Sequence, residues 1–202
     1  MHKEFNFEKR RKLFHVSSII VPIIYAYCSK SAILTILLPV TILTVYFDAI
    51  RHYNHKIGAL INILFINLMR TSESSGTFKL SGISYMMSGF LFSAVLFPKQ
   101  LTITSWFILI FSDAIASLVG TKIGKIRIYN KTFEGSIAFF LSAAFISIIY
   151  SFYIGYVINI INIIMTCLVT TLVELYSKKI NLNDNLLIPV SYCLIASILN
   201  IS

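Results

Sequence analysis

The segment from Ser112 to Ser136, SDAIASLVGTKIGKIRIYNKTFEGS, places a carboxylate, glycines and lysines within one short stretch. Asp113, Ser117, Gly120 and Gly124 are four, three and four residues apart, so they share one face of a helix. A carboxylate inside a hydrophobic stretch costs roughly 3 kcal/mol on insertion scales. Asp113 therefore indicates a function, and a metal ion, a nucleotide phosphate or a proton path would each explain it.

The same segment carries groups that suit a phosphate chain. Glycine backbone next to lysine ammonium groups can approach phosphate oxygens closely. The second half of the segment precedes another apolar stretch, so a helix N-terminus there would also favour an anion. The candidate phosphate-binding residues are Ser117, Gly120, Gly124, Lys125, Lys131 and Gly135.

Asp113 and Glu134 are the candidate metal ligands of this segment. One or two carboxylates, completed by phosphate oxygens and water, are a typical Mg²⁺ environment. No GxxxxGK[ST] sequence is present, so a P-loop nucleotide site is excluded. The alternative is a glycine-rich bend required for packing, with lysine side chains that extend toward water.

The composition predicts a membrane protein. The chain is 57% hydrophobic and 12% charged, with a mean hydropathy of +0.82. We expect an all-α polytopic membrane protein in a single domain, 1–202, with about seven transmembrane helices plus a short interfacial helix at Ile57–Met69. The predicted spans are Leu13–Cys28, Ser31–Ala49, Gly82–Phe97, Leu101–Val119, Ser136–Tyr153, Tyr156–Leu175 and Leu186–Asn200.

The distribution of charge predicts the orientation of these spans. The net charge of +9 could suggest nucleic acid, but only Lys30 and Lys99 of the 17 basic residues fall on one side of the predicted membrane. The positive-inside rule places the others in the cytoplasm, so we expect no nucleic-acid partner. We expect a multi-pass protein of a bacterial-type inner or plasma membrane, with its active site on the cytoplasmic face. The acids and histidines lie on that cytoplasmic side as well. This asymmetry favours an enzyme that works at one face over a transporter, which needs a route to both.

The N-terminal stretch FEKRRKLFHV offers a second charged surface. Arg11 and Lys12 could bind phosphates, and His15 could handle a proton on the same helix face. The alternative is an ordinary basic anchor with a histidine at the interface.

Other candidates lie where predicted spans meet the inner loops. Asp48 and Arg51 could be an ion pair that stabilises a helix end, or they could belong to the functional site. Glu73 lies before the third predicted span. Asp184 and Asn185 lie before the last, as a helix N-cap or as oxygen ligands.

Four stretches, in order along almost the whole chain, resemble the CTP-dependent lipid-alcohol kinases, the family of dolichol kinase, phytol kinase and the CTP-using diacylglycerol kinase. The matching residues are Glu8, Arg11, Lys12 and His15; Arg70, Glu73, Ser81, Gly82 and Tyr85; the block from Asp113 to Ser136; and Val173, Glu174, Asp184, Asn185, Ile188 and Pro189. Two positions depart from the family pattern: Ser112 replaces a usual glycine, and Asn183 replaces a common aspartate.

The resemblance implies transfer of a phosphoryl group from CTP to the hydroxyl of a membrane lipid alcohol, with Mg²⁺ as cofactor. The alcohol could be dolichol or another polyprenol, a phytol-like alcohol or diacylglycerol. Asp113 and Glu134 would organise the metal and the triphosphate, and Lys125 and Lys131 would bind phosphate oxygens. Four residues remain candidates for the base that accepts the hydroxyl proton: Asp48, Glu73, His15 and Asp184.

Two alternatives remain open. The central block also resembles the phosphatidate cytidylyltransferases, which make CDP-lipids. Their C-terminal signature, rich in Lys-Asp, His-Gly-Gly and Asp-Arg, does not occur after Glu174. The other alternative is a small non-catalytic transporter or assembly protein of the membrane.

Overall fold

The structure is a computed structural model that describes residues 15–53, 80–155 and 159–201. Its helices are α1 (Ile20–Tyr27), α2 (Lys30–Tyr53), α3 (Gly82–Leu96), α4 (Lys99–Phe107), α5 (Asp113–Ile123), α6 (Phe133–Ile154), α7 (Ile160–Tyr176) and α8 (Asp184–Ile198). A π-helical segment, Ile108–Ser112, joins α4 to α5. Two short strands, β1 (Arg127–Ile128) and β2 (Lys131–Thr132), form a hairpin between α5 and α6 that the sequence did not predict. The predicted interfacial helix Ile57–Met69 lies outside the described residues.

The apolar helices indicate a membrane protein. Within residues 15–53, 80–155 and 159–201, three helices are long and apolar enough to cross a membrane: Lys30–Arg51, the continuous Lys99–Ile123, and Phe133–Ile154. Shorter apolar helices occupy the other predicted spans: His15–Tyr27, Gly82–Leu96, Ile160–Tyr176 and Asp184–Ile198. The all-helical architecture is therefore confirmed, apart from the small hairpin, and seven complete spans stay a prediction.

The long helices turn apolar side chains outward. In α2 and in α6, only 22% of the most apolar stretch of the helix is buried inside the protein. Large hydrophobic side chains such as Ile42 of α2 and Leu141 of α6 are exposed. Contact with lipid would explain such faces. A groove of about 340 Å³ on this outer surface is lined by Phe107, Phe111, Phe145, Ile146, Ile149, Tyr150 and Tyr153.

Helix α8 lies at the centre of the bundle. It packs against α3, α4 and α7, while α6 packs against α5 and α7, and α2 packs on α3. Gly89 permits the contact between α3 and α8, because a Cβ atom there would lie 2.6 Å from the carbonyl oxygen of Asn185. The bundle therefore holds the start of α8 close to α3.

An aromatic group fills the core near α4. Trp106 is fully buried, with ring centroids 4.5 Å from Phe90 and 5.2 Å from Tyr25. Its indole N–H donates to the hydroxyl of Ser93 over 2.8 Å, so its polar atom is satisfied inside the apolar core.

Two lysines join helix ends at one end of the bundle. Lys30 donates to the carbonyl oxygens of Val95 and Phe97, at the C-terminus of α3. Lys99 donates to those of Ala26 and Cys28, at the C-terminus of α1, over 2.9 and 2.8 Å. A cation at a helix C-terminus satisfies carbonyls that have no partner within the helix. These two lysines thus cap helices, and they lie at the bundle end opposite the carboxylates described below.

We expect Lys99→Met to destabilise the fold without affecting the carboxylate end. Loss of hydrogen bonds from a charged donor costs about 1 kcal/mol, which lowers the midpoint of thermal unfolding by about 3 °C in a chain of this length. The measurement is thermal unfolding in detergent, with Lys122→Met, at an exposed lysine of α5, as the control. Equal midpoints for the two variants would contradict the capping role.

Candidate functional site

The π-helical segment carries Asp113 into the site. It ends at Ser112, so Asp113 opens α5 directly after the irregular turn, and both residues are buried. Within the segment, the carbonyl oxygen of Leu109 accepts a hydrogen bond of 3.3 Å from Nε2 of His15. Single π-helical turns inside α-helices are frequent at functional sites. Here the segment sets the direction in which Asp113 points.

The hairpin carries Lys131. Its strands pair Arg127 with Thr132 and Ile128 with Lys131, across a two-residue turn whose first residue, Tyr129, has a left-handed φ of 55°. The base of the hairpin is closed by a main-chain bond from Phe133 to Ile126 of 2.9 Å. The connection between α5 and α6 is therefore a defined structure that fixes Lys131.

Glu134 closes the same hairpin from the start of α6. Its Oε1 accepts the main-chain N–H of Lys125 over 2.9 Å and that of Ile126 over 3.3 Å. The Lys125 side chain is exposed. The Glu134 carboxylate is thus bound to main-chain N–H groups of the hairpin. That it shares a metal ion with Asp113 stays a prediction.

Glycines allow the end of α5 to lie directly on the hairpin and α6. A Cβ atom at Gly124 would lie 2.7 Å from Thr132 Cγ2, and one at Gly120 would lie 2.6 Å from Thr132 Oγ1. A Cβ atom at Gly135 would lie 2.9 Å from the carbonyl oxygen of Ala116. This close packing brings Lys131 back toward the start of α5.

Three carboxylates meet at this place, one from each of three helices. Asp113 of α5, Glu174 of α7 and Asp184 of α8 each offer an oxygen, and these oxygens lie within 4.8 Å of one another. Asp113 is 5% exposed and Glu174 is 3% exposed, and Asp184 is half-buried. Carboxylate oxygens are the ligands that Mg²⁺ prefers, so the group is suited to a divalent cation. We call these residues the carboxylate cluster.

Lys131 joins the carboxylate cluster through its ammonium group. Its Nζ donates to Oε1 of Glu174, to the main-chain carbonyl of Glu174 over 2.8 Å, and to Oδ2 of Asp184 over 3.1 Å. Burial by itself would lower the pKa of Lys131, but the negative charges of Asp184, Glu174 and Asp113 outweigh it and raise that pKa above its usual value. The lysine therefore stays charged at neutral pH.

Asp48 forms a separate polar group where α2 approaches the start of α3. Its Oδ2 accepts hydrogen bonds from the main-chain N–H of Ser81 over 2.7 Å and from the hydroxyls of Ser81 and Ser84 over 2.8 and 2.5 Å. Arg51 Nε lies 3.4 Å from its Oδ1, and both side chains are buried. The i,i+3 pair predicted from the sequence is thus present, and it is buried and joined to α3.

Asn185 links that polar group to the carboxylate cluster. Its side-chain amide donates to the carbonyl oxygen of Gly82 over 2.9 Å, one residue after Ser81. The N-cap of α8 is Asn183, whose side chain accepts the N–H of Asn185 over 3.0 Å. Asp184 Oδ1 also accepts that N–H, over 3.1 Å, while its Oδ2 accepts from Lys131.

The structure brings together only some of the predicted site residues. Asp113, Lys131 and Asp184 meet, and Gly120, Gly124 and Gly135 pack around Thr132 beside them. Ser117 is half-buried one turn after Asp113. Lys12, Arg11 and Glu73 lie outside the described residues.

Glu174 belongs to the site although local patterns in the sequence do not single it out. In the sequence it is marked only by the family resemblance. The signal was nevertheless available, because an acid that closes an apolar helix raises the same question as Asp113 does.

We expect the stabilisation by Lys131 to persist up to alkaline pH. The pKa of Lys131 is higher in the folded chain than in the unfolded chain, where lysine has a pKa of about 10.4. The charged lysine therefore contributes its full stabilisation of the fold below about pH 10, and this stabilisation declines as the pH rises through the folded-state pKa. Lys131→Met should lose about 3 kcal/mol, since it leaves buried carboxylates without their cation.

The measurement is thermal unfolding of the wild type and of Lys131→Met in detergent, from pH 7 to pH 11. The wild type should remain the more stable of the two at pH 9, and the difference should decline only above about pH 10. A difference that already disappears between pH 7 and pH 9 would show that the ammonium group does not carry the stabilisation.

Comparison with known proteins adds three relatives. The chain is 49% identical over 196 residues to "Uncharacterized protein RP860" of Rickettsia prowazekii, which covers 97% of this chain and 96% of that protein. It is 29% identical over 185 residues to "Uncharacterized protein MJ1137" of Methanocaldococcus jannaschii, which covers 89% and 87% of the two chains. No family model matches the chain, and no solved structure matches it.

The third relative has a described activity. Phytol kinase 1, chloroplastic, of Arabidopsis thaliana is 32% identical over 139 residues, which are 62% of this chain and 46% of that protein. This weak and partial similarity suggests a related lipid kinase family. The identity with the Rickettsia protein extends over nearly the full length of both chains. The chain therefore belongs to the same family as RP860 of Rickettsia prowazekii.

Proposed function

We propose that this protein is a CTP-dependent kinase that phosphorylates the hydroxyl of a membrane lipid alcohol. The observation that carries the proposal is the meeting of Asp113, Glu174 and Asp184 with Lys131 at one end of an apolar helical bundle. The partial similarity to phytol kinase 1 supports a lipid alcohol as acceptor. The resemblance of the chain to CTP-using lipid kinases supports CTP as donor.

The depth of the carboxylate cluster suits a lipid hydroxyl. Asp113 follows Lys99 by 14 residues along a continuous helical stretch, which is about 21 Å at 1.5 Å per residue. The hydrocarbon core of a bilayer is about 30 Å thick. With Lys99 at one interface, the cluster would lie just below the other, where the hydroxyl of a lipid alcohol can reach it and a nucleotide can enter from the cytoplasm.

The reaction would depend on positioning and on charge neutralisation. The hydroxyl oxygen of the alcohol bonds to the γ-phosphorus of CTP, and the bond from that phosphorus to the bridging oxygen breaks. CDP leaves, and the hydroxyl proton passes to a base. Lys131 would bind phosphate oxygens in this step, and a divalent cation, Mg²⁺ in our proposal, would supply further positive charge.

The contacts separate the three candidate bases that the structure describes, Asp184, Asp48 and His15. Asp184 lies in the carboxylate cluster. Asp48 is engaged by Ser81, Ser84 and Arg51, so we assign it a positioning role in which it holds α3 against α2. His15 donates to the Leu109 carbonyl and would orient the segment that carries Asp113.

The function is tested with purified protein in lipid nanodiscs that contain phytol, a polyprenol or diacylglycerol. With γ-labelled CTP we expect the label in the lipid, and with α-labelled CTP we expect it in CDP. The opposite pattern, α-label in the lipid with release of pyrophosphate, would identify a cytidylyltransferase. No labelled lipid from either nucleotide would contradict both enzymatic functions.

Asp113→Asn should lower the turnover number by about 100-fold or more, since electrostatic groups at the reacting centre contribute on this scale. The matched control is Thr121→Ala on the same helix, at an exposed residue whose hydroxyl donates to the carbonyl oxygens of Ser117 and Leu118. The measurement is the rate of label transfer from γ-labelled CTP. Equal rates for the two variants would remove Asp113 from the reaction.

A further inference from the structure

The carboxylate cluster has one oxygen whose situation is unusual. Oε1 of Glu174 accepts from Lys131, but its Oε2 is buried and has no hydrogen-bond partner in the described part of the chain. The residue itself is 3% exposed, so water does not replace the missing partner readily. A buried carboxylate oxygen without a donor is costly, and natural sites usually explain such an atom by a function or a bound ion.

A divalent cation would satisfy that oxygen. The carboxylates of Asp113, Glu174 and Asp184 already lie close enough to share one ion, with oxygens within 4.8 Å of one another. Hard cations such as Mg²⁺ and Mn²⁺ take carboxylate oxygens and keep several waters. Glu134, the partner of Asp113 in the sequence-based prediction, instead binds the main-chain N–H of Lys125 and Ile126.

Lys131 occupies the position of a cation in this structure. Its Nζ contacts three oxygens from two of the cluster residues, namely Oε1 and the carbonyl of Glu174 and Oδ2 of Asp184. An ammonium group and a divalent ion would compete for the same carboxylate oxygens, because like charges at such distances repel strongly.

We propose that Asp113, Glu174 and Asp184 form a divalent-cation site, and that Lys131 holds the carboxylates of Glu174 and Asp184 in the absence of the ion and is displaced when the ion binds. The released ammonium would then be available to phosphate oxygens beside the ion. The role of the ion in catalysis rests on the proposed function. The binding of the ion does not, because it needs neither nucleotide nor lipid.

The competition makes an uncommon prediction: loss of the lysine should improve ion binding. Lys131→Met removes a positive charge from the site, so its affinity for Mn²⁺ should rise at least about tenfold. Glu174→Gln and Asp184→Asn remove ligands and should each weaken binding at least about tenfold. A variant that had merely lost its fold could not show the rise.

The experiment uses the full-length protein in detergent without CTP or lipid. Free Mn²⁺ is measured by its electron paramagnetic resonance signal, and Mg²⁺ is added as competitor. Thr121→Ala, at an exposed residue of α5, is the control and should bind Mn²⁺ as the wild type does. Glu134→Gln tests the ligand predicted from the sequence and should retain more binding than Glu174→Gln. Glu174→Asp, which keeps the charge, should retain more binding than Glu174→Gln if the latter acts by loss of a ligand.

Three results would overturn the proposal: no Mn²⁺ binding by the wild type, loss of binding in Glu134→Gln with retention in Glu174→Gln, or unchanged affinity in Lys131→Met. The outcome is separable from the proposed function. Ion binding as predicted without transfer from CTP would leave the cation site and remove the kinase. If phosphoryl transfer from CTP occurs but cation binding does not require Glu174, the kinase function would stand and the proposed cation site would be wrong.

Discussion

The ammonium group of Lys131 joins three parts of the chain that are far apart in sequence. It extends from the hairpin between α5 and α6 to the last turn of α7 and the start of α8. Buried charges in an apolar bundle are stable only when they are paired and hydrogen-bonded. The glycines at the end of α5, the left-handed residue at the hairpin turn and the closing carboxylate of Glu134 all serve to place this one group.

The short helices explain why the polar groups meet where they do. α3 and α8 have 15 residues each, and α8 begins in the carboxylate cluster while α3 begins beside Asn185. The longer α2 and the continuous α4–α5 stretch extend past this level. The result is a group of polar side chains at one end of an apolar scaffold. At the other end, Lys30 and Lys99 donate to carbonyl oxygens at the C-termini of α3 and α1.

The sequence predicted the helices well because hydrophobicity decides them. The span predicted at Gly82–Phe97 is a helix at Gly82–Leu96, and the one predicted at Ser136–Tyr153 is a helix at Phe133–Ile154. The asymmetry of charge was also informative, since Lys30 and Lys99 lie together at the end opposite the carboxylates.

The sequence could not predict which acids meet. Glu134 and Glu174 are equally compatible with Asp113 by residue type, and only packing separates them. The hairpin turns the Glu134 carboxylate onto main-chain N–H groups, whereas the contact of α7 with α8 brings Glu174 to Asp184. The π-helical segment was likewise invisible, because its apolar residues read as ordinary helix. Long-range contact, rather than local pattern, determines the site.

A double-mutant cycle between Lys131 and Glu174 tests the central claim most directly. The free energy of unfolding in detergent is measured for the wild type, Lys131→Met, Glu174→Gln and the double variant. A second cycle, with Lys131→Met and Glu134→Gln, serves as the comparison. A buried ion pair predicts a coupling energy of about 2 kcal/mol between Lys131 and Glu174, and a coupling energy of about 0 kcal/mol between Lys131 and Glu134. A coupling confined to Glu134 would contradict the account, because Lys131 would then not hold α7 and α8 to the hairpin.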